Sequence, residues 1–133
     1  MTDFSASPPD DLVCLLTPRG ERTARASTRI TDEATQLAGF YRDMVLIRRM
    51  DTEAYALQRH GELGLWAPLF GQEAAQIGAG RALAQQDWVF PSYREHGIAW
   101  CREIGPEQLL GTSRGTEMSG RHPNEYRYAF GQI

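Results

Sequence analysis

Apolar residues recur at three- and four-residue steps between residues 31 and 60, the spacing that places side chains on one face of an α-helix. Thr31 or Asp32 can accept hydrogen bonds from the first backbone N–H groups, and Gly61 is a natural helix stop. The spacing therefore predicts one long helix over residues 31–60. The positions expected on its buried face are Leu37, Tyr41, Met44, Ile47 or Arg48, Tyr55 and Leu57.

The charged residues of this predicted helix lie next to its apolar positions. Arg42 and Asp43 form one charged run, and residues 48–51 contain another. Because these residues have neighbours of opposite charge three or four positions away on a helix, we expect them to form solvated salt links.

A second helix is predicted over residues 72–83, where small residues leave one face almost bare. Gly78 and Gly80 weaken an isolated helix by about 1 kcal/mol each. We expect this helix in a tightly packed place, because small side chains let another backbone approach closely. The pattern also predicts an extended segment at residues 87–91, short helices at 94–101 and 106–110, and a loop from Gly111 to the end of the chain.

Residues 1–30 are predicted to form an N-terminal arm. A polar start precedes the apolar run at 12–16, and a turn at 17–20 stops that run. We expect a short extended segment that packs either on this chain's own helices or on a partner subunit. Residues 31–133 would then form the domain proper, mostly α-helical, with an unfinished loop at its end.

Composition limits the classes of protein that the chain can represent. Its 133 residues suit one globular domain, with 41% hydrophobic and 23% charged residues. The formal charge of -3 gives no general attraction to nucleic acid or acidic membranes, and no apolar run is long enough for a membrane helix. The polar, acidic N-terminus predicts neither a signal nor a transit peptide, and hence a cytoplasmic location. Cys14 and Cys101 lack CxxC spacing, which argues against a disulfide scaffold or a cysteine zinc site.

The stretch at residues 92–97, Ser-Tyr-Arg-Glu-His-Gly, is the most suggestive one for chemistry. It lies where an extended segment turns into a predicted helix, and backbone N–H groups at the start of a helix favour anions. Arg94 adds a planar set of donors that matches phosphate oxygens, and the Tyr93 hydroxyl adds another donor. The alternative is a surface arginine paired with Glu95 or Glu103.

A series of segments along the chain occurs in a characteristic order. The segments are FYRDMV at 40–45 with RRMD at 48–51, LQR at 57–59 with GELGLW at 61–66, GQEAAQIG at 71–78 with AL at 82–83, DWVFP at 87–91 with YREHG at 93–97, and RG at 114–115. In this order they resemble the α subunits of the two-subunit, thiamin-diphosphate-dependent 2-oxo-acid dehydrogenase E1 family, which includes the pyruvate and branched-chain enzymes. The resemblance spans about residues 10–128 and is greatest to bacterial pyruvate dehydrogenase E1 α chains.

The resemblance implies an α/β thiamin-diphosphate-binding fold for the full-length family and a cofactor site between an α and a β subunit of a heterotetramer. The α side would hold the diphosphate and Mg²⁺. By position, Tyr93 and Arg94 would contact the diphosphate, Leu65 would lie against the cofactor, and Ser92 is a weaker lining candidate. Glu73 and His96 belong to the motifs, but neither is assigned a catalytic role, so the catalytic residues stay unknown.

The activity that the resemblance implies is oxidative decarboxylation of a small 2-oxo acid, followed by acyl transfer to the lipoyl group of the E2 acyltransferase. Pyruvate is the first expected substrate, a branched-chain 2-oxo acid the second and acetoin a distant third, because the residues that size the acyl pocket lie mostly outside this segment.

One departure from the family pattern changes the expectation for this chain alone. The GDG…N magnesium motif of the family is not found among the 133 residues. The chain therefore resembles the N-terminal part of an α subunit, truncated or frameshifted before its metal motif, and we expect it to be inactive by itself. The alternatives are a non-catalytic remnant that at most pairs with another subunit, or an unrelated helical interaction module.

Overall fold

The computed structural model of the chain describes residues 14–24 and 34–115. The chain divides into two compact units, Met1–Leu37 and Ala38–Ile133. The described residues contain four helices: α1 (Ala34–Arg59), α2 (Glu73–Ala82), α3 (His96–Cys101) and α4 (Pro106–Arg114). The predicted mostly helical character is therefore confirmed. Isolated bridge positions occur at Leu16, Arg22 and Val89, but the described ranges contain no β-strand, so the α/β architecture of the full-length family stays a prediction.

Helix α1 lies within the predicted range 31–60 and ends one residue earlier than predicted, at Arg59, but the face that it buries differs from the predicted one. Ile47 is buried as expected, whereas Tyr41 is 67% exposed, and Leu37 and Tyr55 are also exposed. The residues that α1 buries are Asp43, Ile47, Met50, Asp51 and Ala54. Gly61, at φ +78°, follows the helix as predicted, while the proposed N-cap residues lie outside the described part of the chain.

The two aspartates of this face are not the solvated salt-link partners that the sequence predicted. The Asp43 carboxylate accepts a hydrogen bond from the Nε–H of Arg42 at 3.3 Å and another from the Nε–H of Arg81 in α2 at 2.8 Å. Burial raises the pKa of the Asp43 carboxyl, but hydrogen bonds from Arg81, Trp100 and Arg42 outweigh burial and leave that pKa below its ordinary value. Solvated pairing does occur between Arg49 and Glu53.

Helix α2 is packed tightly against α3, as its small residues predicted. A Cβ atom at Gly80 would lie 2.8 Å from both Cβ and Sγ of Cys101, so this position has no room for a side chain. Gly78 is different, because a Cβ atom there would meet nothing within 4 Å outside its own helix. The close approach therefore depends on Gly80.

Buried apolar residues from all four helices and from the connecting loops form one cluster. It comprises Ile47, Met50, Ala54, Leu63, Trp66, Leu69, Ile77, Val89, Ala99, Ile104 and Leu109. Two side chains brace the connections around it. Arg48 donates to Glu73 at 2.8 Å, and Arg102 donates to the carbonyl of Asp87 at 2.6 Å. The guanidinium of Arg48 holds the pKa of the Glu73 carboxyl below its ordinary value.

The C-terminal boundary of α4 corrects a sequence prediction. The helix was expected to end at Leu110 and to give way to a loop at Gly111. It continues to Arg114 and ends at Gly115, whose φ of +76° is the left-handed conformation that favours glycine. The Thr112 hydroxyl donates to the carbonyl of Gln108 at 2.9 Å, which adds a contact within this last turn. The remainder of the predicted loop lies outside the described residues.

Residues 14–24 of the N-terminal unit contain the predicted turn. Leu16 and Arg22 form an isolated antiparallel bridge, and the Gly20 N–H donates to the carbonyl of Thr17 at 2.9 Å. The Thr17 hydroxyl accepts the Glu21 N–H at 3.1 Å and so stabilises the same turn. Among the helices of the described residues, none combines the length and the apolar composition that crossing a bilayer requires.

Candidate functional site

Two loop stretches that are distant in sequence meet at one place in the structure. One follows α1 and contains residues 65–69, and the other precedes α3 and contains residues 92–95. Arg94 donates from Nη1 to the carbonyl of Pro68 at 2.8 Å. The His96 ring stacks on Trp66 with ring centroids 4.0 Å apart, and its Nε2 lies 3.3 Å from the carbonyl oxygen of Ala67. The structure thus joins the stretch that carries Leu65 to the stretch that carries Tyr93 and Arg94.

The first stretch is fixed to α1 by Asp51, which is fully buried. Its carboxyl group accepts the indole N–H of Trp66 at 2.8 Å and the backbone N–H of Leu69 at 3.1 Å. Because Trp66 and Leu69 flank Pro68, these bonds also place the carbonyl that holds Arg94. Sequence reasoning missed this role of Asp51, although its spacing of four residues from the buried Ile47 was a signal of burial.

Arg94 does not form the carboxylate pair that was the alternative to a ligand role. Within the described residues its guanidinium makes one hydrogen bond, to Pro68, and no ion pair. Its Cζ atom lies 5.2 Å from the centroid of the Tyr93 ring, within the range of a cation–π contact. Tyr93 itself is 54% exposed. The remaining guanidinium donors and the tyrosine therefore stand beside each other at a solvent-accessible place.

Glu95 pairs with the backbone of its own loop. Its Oε2 accepts the N–H groups of Ser92 at 2.9 Å and of Arg94 at 3.2 Å, and the Ser92 hydroxyl lies 3.3 Å from both carboxylate oxygens. Burial raises the pKa of the Glu95 carboxyl, but the hydrogen bonds from Arg94 and Ser92 outweigh burial and lower that pKa. The Ser92 hydroxyl is therefore directed at Glu95.

The expectation that backbone N–H groups at this helix start would serve an anion is wrong for the donors of residues 96–98. The N–H of His96 donates to the carbonyl of Arg94, that of Gly97 to the side chain of Gln76, and that of Ile98 to the carbonyl of Glu95. In addition, α3 is only six residues long and begins at His96, after the arginine. The hydrogen-bond donors available to an anion at this site are therefore side chains and not the backbone N–H groups of a helix start.

Apolar side chains are exposed along both stretches and between them. Leu65 is 59% exposed and Phe90 is 77% exposed, while Phe70 and Trp88 are also exposed. The rings of Trp88 and Phe90 stack with centroids 6.2 Å apart. Large exposed apolar side chains that lie together are typical of a surface that a ligand or partner covers, and the stacked Trp88 and Phe90 are such a pair.

The described residues hold no group of three or more His, Cys, Asp or Glu side chains placed to bind a metal ion. Glu73 is engaged by Arg48 and by the Gly71 N–H, which agrees with a structural role. His96 is largely buried, and burial lowers the pKa of its imidazole, despite the opposing effect of the Ala67 carbonyl. His60 is exposed, and His122 lies outside the described residues.

Comparison with known proteins identifies the family. The sequence model of the family described as Dehydrogenase E1 component matches residues 41–130, which is more than half of the chain. The chain is 46% identical over 109 residues to the 3-methyl-2-oxobutanoate dehydrogenase subunit alpha of Mycobacterium tuberculosis, covering 81% of this chain and 29% of that protein. It is 37% identical over 120 residues to the pyruvate dehydrogenase E1 component subunit alpha of Bacillus cereus, covering 90% of this chain and 32% of that protein.

A relative from a plant is the 2-oxoisovalerate dehydrogenase subunit alpha 2, mitochondrial, of Arabidopsis thaliana, which is 45% identical over 77 residues, or 58% of this chain and 16% of that protein. The chain thus spans less than a third of the length of these relatives. No solved structure matches it. The chain belongs to the dehydrogenase E1 component family, in which it matches the N-terminal part of the α subunits.

Proposed function

We propose that this chain provides the diphosphate-binding side of a thiamin-diphosphate-dependent 2-oxo-acid dehydrogenase E1 α subunit. The observation that carries the proposal is the state of Arg94. Its guanidinium is held by a neutral carbonyl group and an aromatic ring, and it is not neutralised by a carboxylate of the described residues. An arginine held in this way keeps its charge and several donors for an anionic ligand.

The described residues fit a thiamin diphosphate group in part. Arg94 and Tyr93 would hold the diphosphate, Leu65 would lie against the apolar part of the cofactor, and Ser92 is the weakest of these candidates because its hydroxyl bonds to Glu95. The Glu95 carboxylate close by disfavours an anion, so Arg94 has to offset it as well. Mg²⁺, which the family resemblance implies, has no ligand set among the described residues, and no step is assigned to it.

The cofactor itself would supply the nucleophilic carbon and the electron sink for decarboxylation. The residues of this chain would bind and orient it. Trp66, stacked on His96 and bonded to Asp51, keeps the stretch at 65–69 in place beneath the arginine.

A β-type partner subunit would cover the exposed apolar side chains of Leu65, Phe70, Trp88 and Phe90. Phe90 and Leu65 are the most exposed of them, and their burial against a partner would remove apolar surface from water. The complete α/β assembly would pass its acyl group to the lipoyl arm of an E2 acyltransferase. In the family resemblance the assembly is a heterotetramer, and we propose a cytoplasmic location for it.

The substrate that we propose is a 2-oxo acid, with pyruvate first and a branched-chain 2-oxo acid second. Relatives named for both substrate types match this chain, the mycobacterial 3-methyl-2-oxobutanoate enzyme at 46% identity and the Bacillus cereus pyruvate enzyme at 37%. A steady-state assay of the assembled α/β enzyme with pyruvate and with 3-methyl-2-oxobutanoate separates the two by their kcat/KM values.

Replacement of Arg94 tests the cofactor site. In the assembled enzyme, Arg94→Ala is expected to raise the dissociation constant of thiamin diphosphate at least about tenfold, since a charge-assisted contact to an anion contributes more than a neutral hydrogen bond. Isothermal titration calorimetry measures this constant. Arg59→Ala is the matched control, because Arg59 also stands over a tyrosine ring, with 6.0 Å from its Cζ to the centroid of Tyr55. Equal affinities for the wild type and Arg94→Ala would refute the assignment.

A further inference from the structure

Gln76 is a buried polar residue of α2 whose side chain bonds to the loop that carries Arg94. It is only 5% exposed. Its Oε1 accepts the Gly97 N–H at 2.8 Å, while its Nε2 donates to the carbonyl of Arg94 at 3.1 Å and to Oε1 of Gln72 at 3.1 Å. One carboxamide thus spans the backbone on both sides of His96 with a donor at one end and an acceptor at the other.

These bonds fix the main chain of Arg94 at the point where the segment turns into α3. The carbonyl of Arg94 also accepts the His96 N–H at 2.9 Å, so this carbonyl has two donors. At the other end of the residue, Nη1 bonds to Pro68 at 2.8 Å. Arg94 is therefore held both through its backbone and through its side chain, by α2 and by the stretch at 65–69.

The space at Gly97 agrees with this role. A Cβ atom there would lie 2.9 Å from Cβ and 3.0 Å from Oε1 of Gln76, so the amide can reach both backbone groups because position 97 carries no side chain. The two hydrogen bonds of Gln76 to residues 94–97 therefore require a glycine at position 97.

We infer that Gln76 is a positioning residue for Arg94, one that sets the direction of the guanidinium toward a diphosphate through the backbone of residues 94–97. The inference rests on the proposed function. A ligand contact depends on placement, and a misplacement of about 1 Å costs up to roughly a hundredfold in a well-oriented site. Gln76 touches no ligand in this scheme and acts only through Arg94.

A single substitution can make this positioning depend on pH. In Gln76→Glu the deprotonated side chain would place two acceptor oxygens where Gln76 has one acceptor and one donor. It would then face the carbonyl of Arg94 and Oε1 of Gln72 without a proton to share. When protonated, the same side chain has one O–H to donate to the Arg94 carbonyl and one oxygen to accept the Gly97 N–H, so low pH restores both bonds to residues 94–97, although not the bond to Gln72.

The experiment is a titration of the full chain with inorganic diphosphate. Isothermal titration calorimetry gives the dissociation constant of every variant, and the NMR shift of the Arg94 Nε–H signal reports the contact in the chains that keep Arg94. Inorganic diphosphate isolates the anion contact from that of Leu65. For each variant the dissociation constant is divided by that of the wild type at the same pH, which cancels the titration of the ligand and of other residues. The expected ratio for Gln76→Glu is at least about five at pH 8 and below about two at pH 5.

Gln58→Glu is the matched control, because Gln58 also donates from its amide to a backbone carbonyl, that of Gly64 at 3.1 Å. Its ratio should stay below about two at both pH values. If the buried carboxylate prevents Gln76→Glu from folding at pH 8, Gln76→Met carries the test, since it buries no charge and removes both bonds to residues 94–97 as well as the bond to Gln72. Its expected ratio is at least about five at both pH values.

Arg94→Ala separates the two ways in which the reasoning can fail. If diphosphate does not shift the Arg94 signal of the wild type, or if Arg94→Ala binds diphosphate as tightly as the wild type does, the proposed function is wrong. The positioning role of Gln76 is then wrong too. If Arg94→Ala binds more weakly but Gln76→Met matches the wild type, or the Gln76→Glu ratio is the same at both pH values, Gln76 is structural only. That result would overturn this inference and leave the proposed function standing.

Discussion

Removal of the Asp51 carboxylate is expected to destabilise the chain more than any exposed acidic substitution on α1. Asp51 is fully buried and accepts two N–H groups that belong to buried residues, the indole of Trp66 at 2.8 Å and the backbone of Leu69 at 3.1 Å. In Asp51→Ala both donors lose their acceptor. Each buried, unsatisfied donor costs about 1–3 kcal/mol, so the free energy of unfolding should fall by about 2–6 kcal/mol.

Asp51→Asn refines this test, since it keeps the shape of the side chain. One oxygen can still accept one N–H, while the new NH₂ group meets the other donor, so we expect a loss of about 1–3 kcal/mol. Urea denaturation followed by circular dichroism gives both values. The matched control is Glu53→Ala, an acidic residue half a turn away that pairs with Arg49 in solvent and should contribute less than about 1 kcal/mol.

The Asp51 variants also connect stability to the site. Because Asp51 places Trp66 and Leu69, and Pro68 lies between them, the carbonyl that holds Arg94 should lose its fixed position in these variants. The reasoning is refuted if Asp51→Ala unfolds at the same urea concentration as Glu53→Ala with an unchanged denaturant slope.

Two further predictions concern the packing of α2 and the titration of the stacked histidine. Gly80→Ala should lower the free energy of unfolding by about 1–3 kcal/mol, because its methyl group would overlap Cys101. Gly78→Ala should raise that free energy by about 0.5–1 kcal/mol, since nothing outside its own helix lies within 4 Å of the added methyl group. Equal effects of the two substitutions in denaturation curves would contradict this contrast. Burial keeps the folded-state pKa of His96 below the ordinary value of 6.5, so the unfolded chain binds the proton first and stability falls as the pH drops from 6.5 toward the lowered value. His96→Phe keeps a ring against Trp66 and cannot titrate, so its stability should lack this part of the pH dependence; an unchanged slope would show that His96 is not its source.

The helices could be predicted from sequence because their signals are local. The spacing of apolar residues in α1 and the glycine after it fall within one segment, and the structure has the helix at Ala34–Arg59. The orientation of that helix could not be predicted in the same way. Hydrophobicity alone favours burial of Tyr41 and Tyr55, yet the helix buries Asp43 and Asp51 because their donors come from residues 38 and 15 positions away.

The site shows the same division between local and distant signals. The Tyr93–Arg94 pair was found from its motif; the structure leaves Tyr93 exposed, and the role of the pair toward a cofactor stays a prediction. The use of Gln76 as an acceptor for Gly97 could not be predicted because these residues are 21 positions apart and meet only when the chain closes. The bonds that Glu95 accepts from Ser92 and Arg94 are local, but no pattern in the sequence indicated them. Helix α4 continues through Gly111 for a similar reason. A glycine inside a helix costs about 1 kcal/mol, and burial of the Leu109 side chain in the core stabilises the helix by more than that.

The central claim is that Arg94 recognises the diphosphate of the cofactor. Its most direct test compares the binding of thiamin diphosphate with that of unphosphorylated thiamin in the wild type and in Arg94→Ala, measured by calorimetry on the assembled enzyme. The ratio of the affinity for thiamin diphosphate to the affinity for thiamin should be at least about tenfold higher in the wild type than in Arg94→Ala. The affinity for thiamin itself should be the same in both proteins. An Arg94→Ala variant that keeps the full preference for the diphosphate form would contradict the claim.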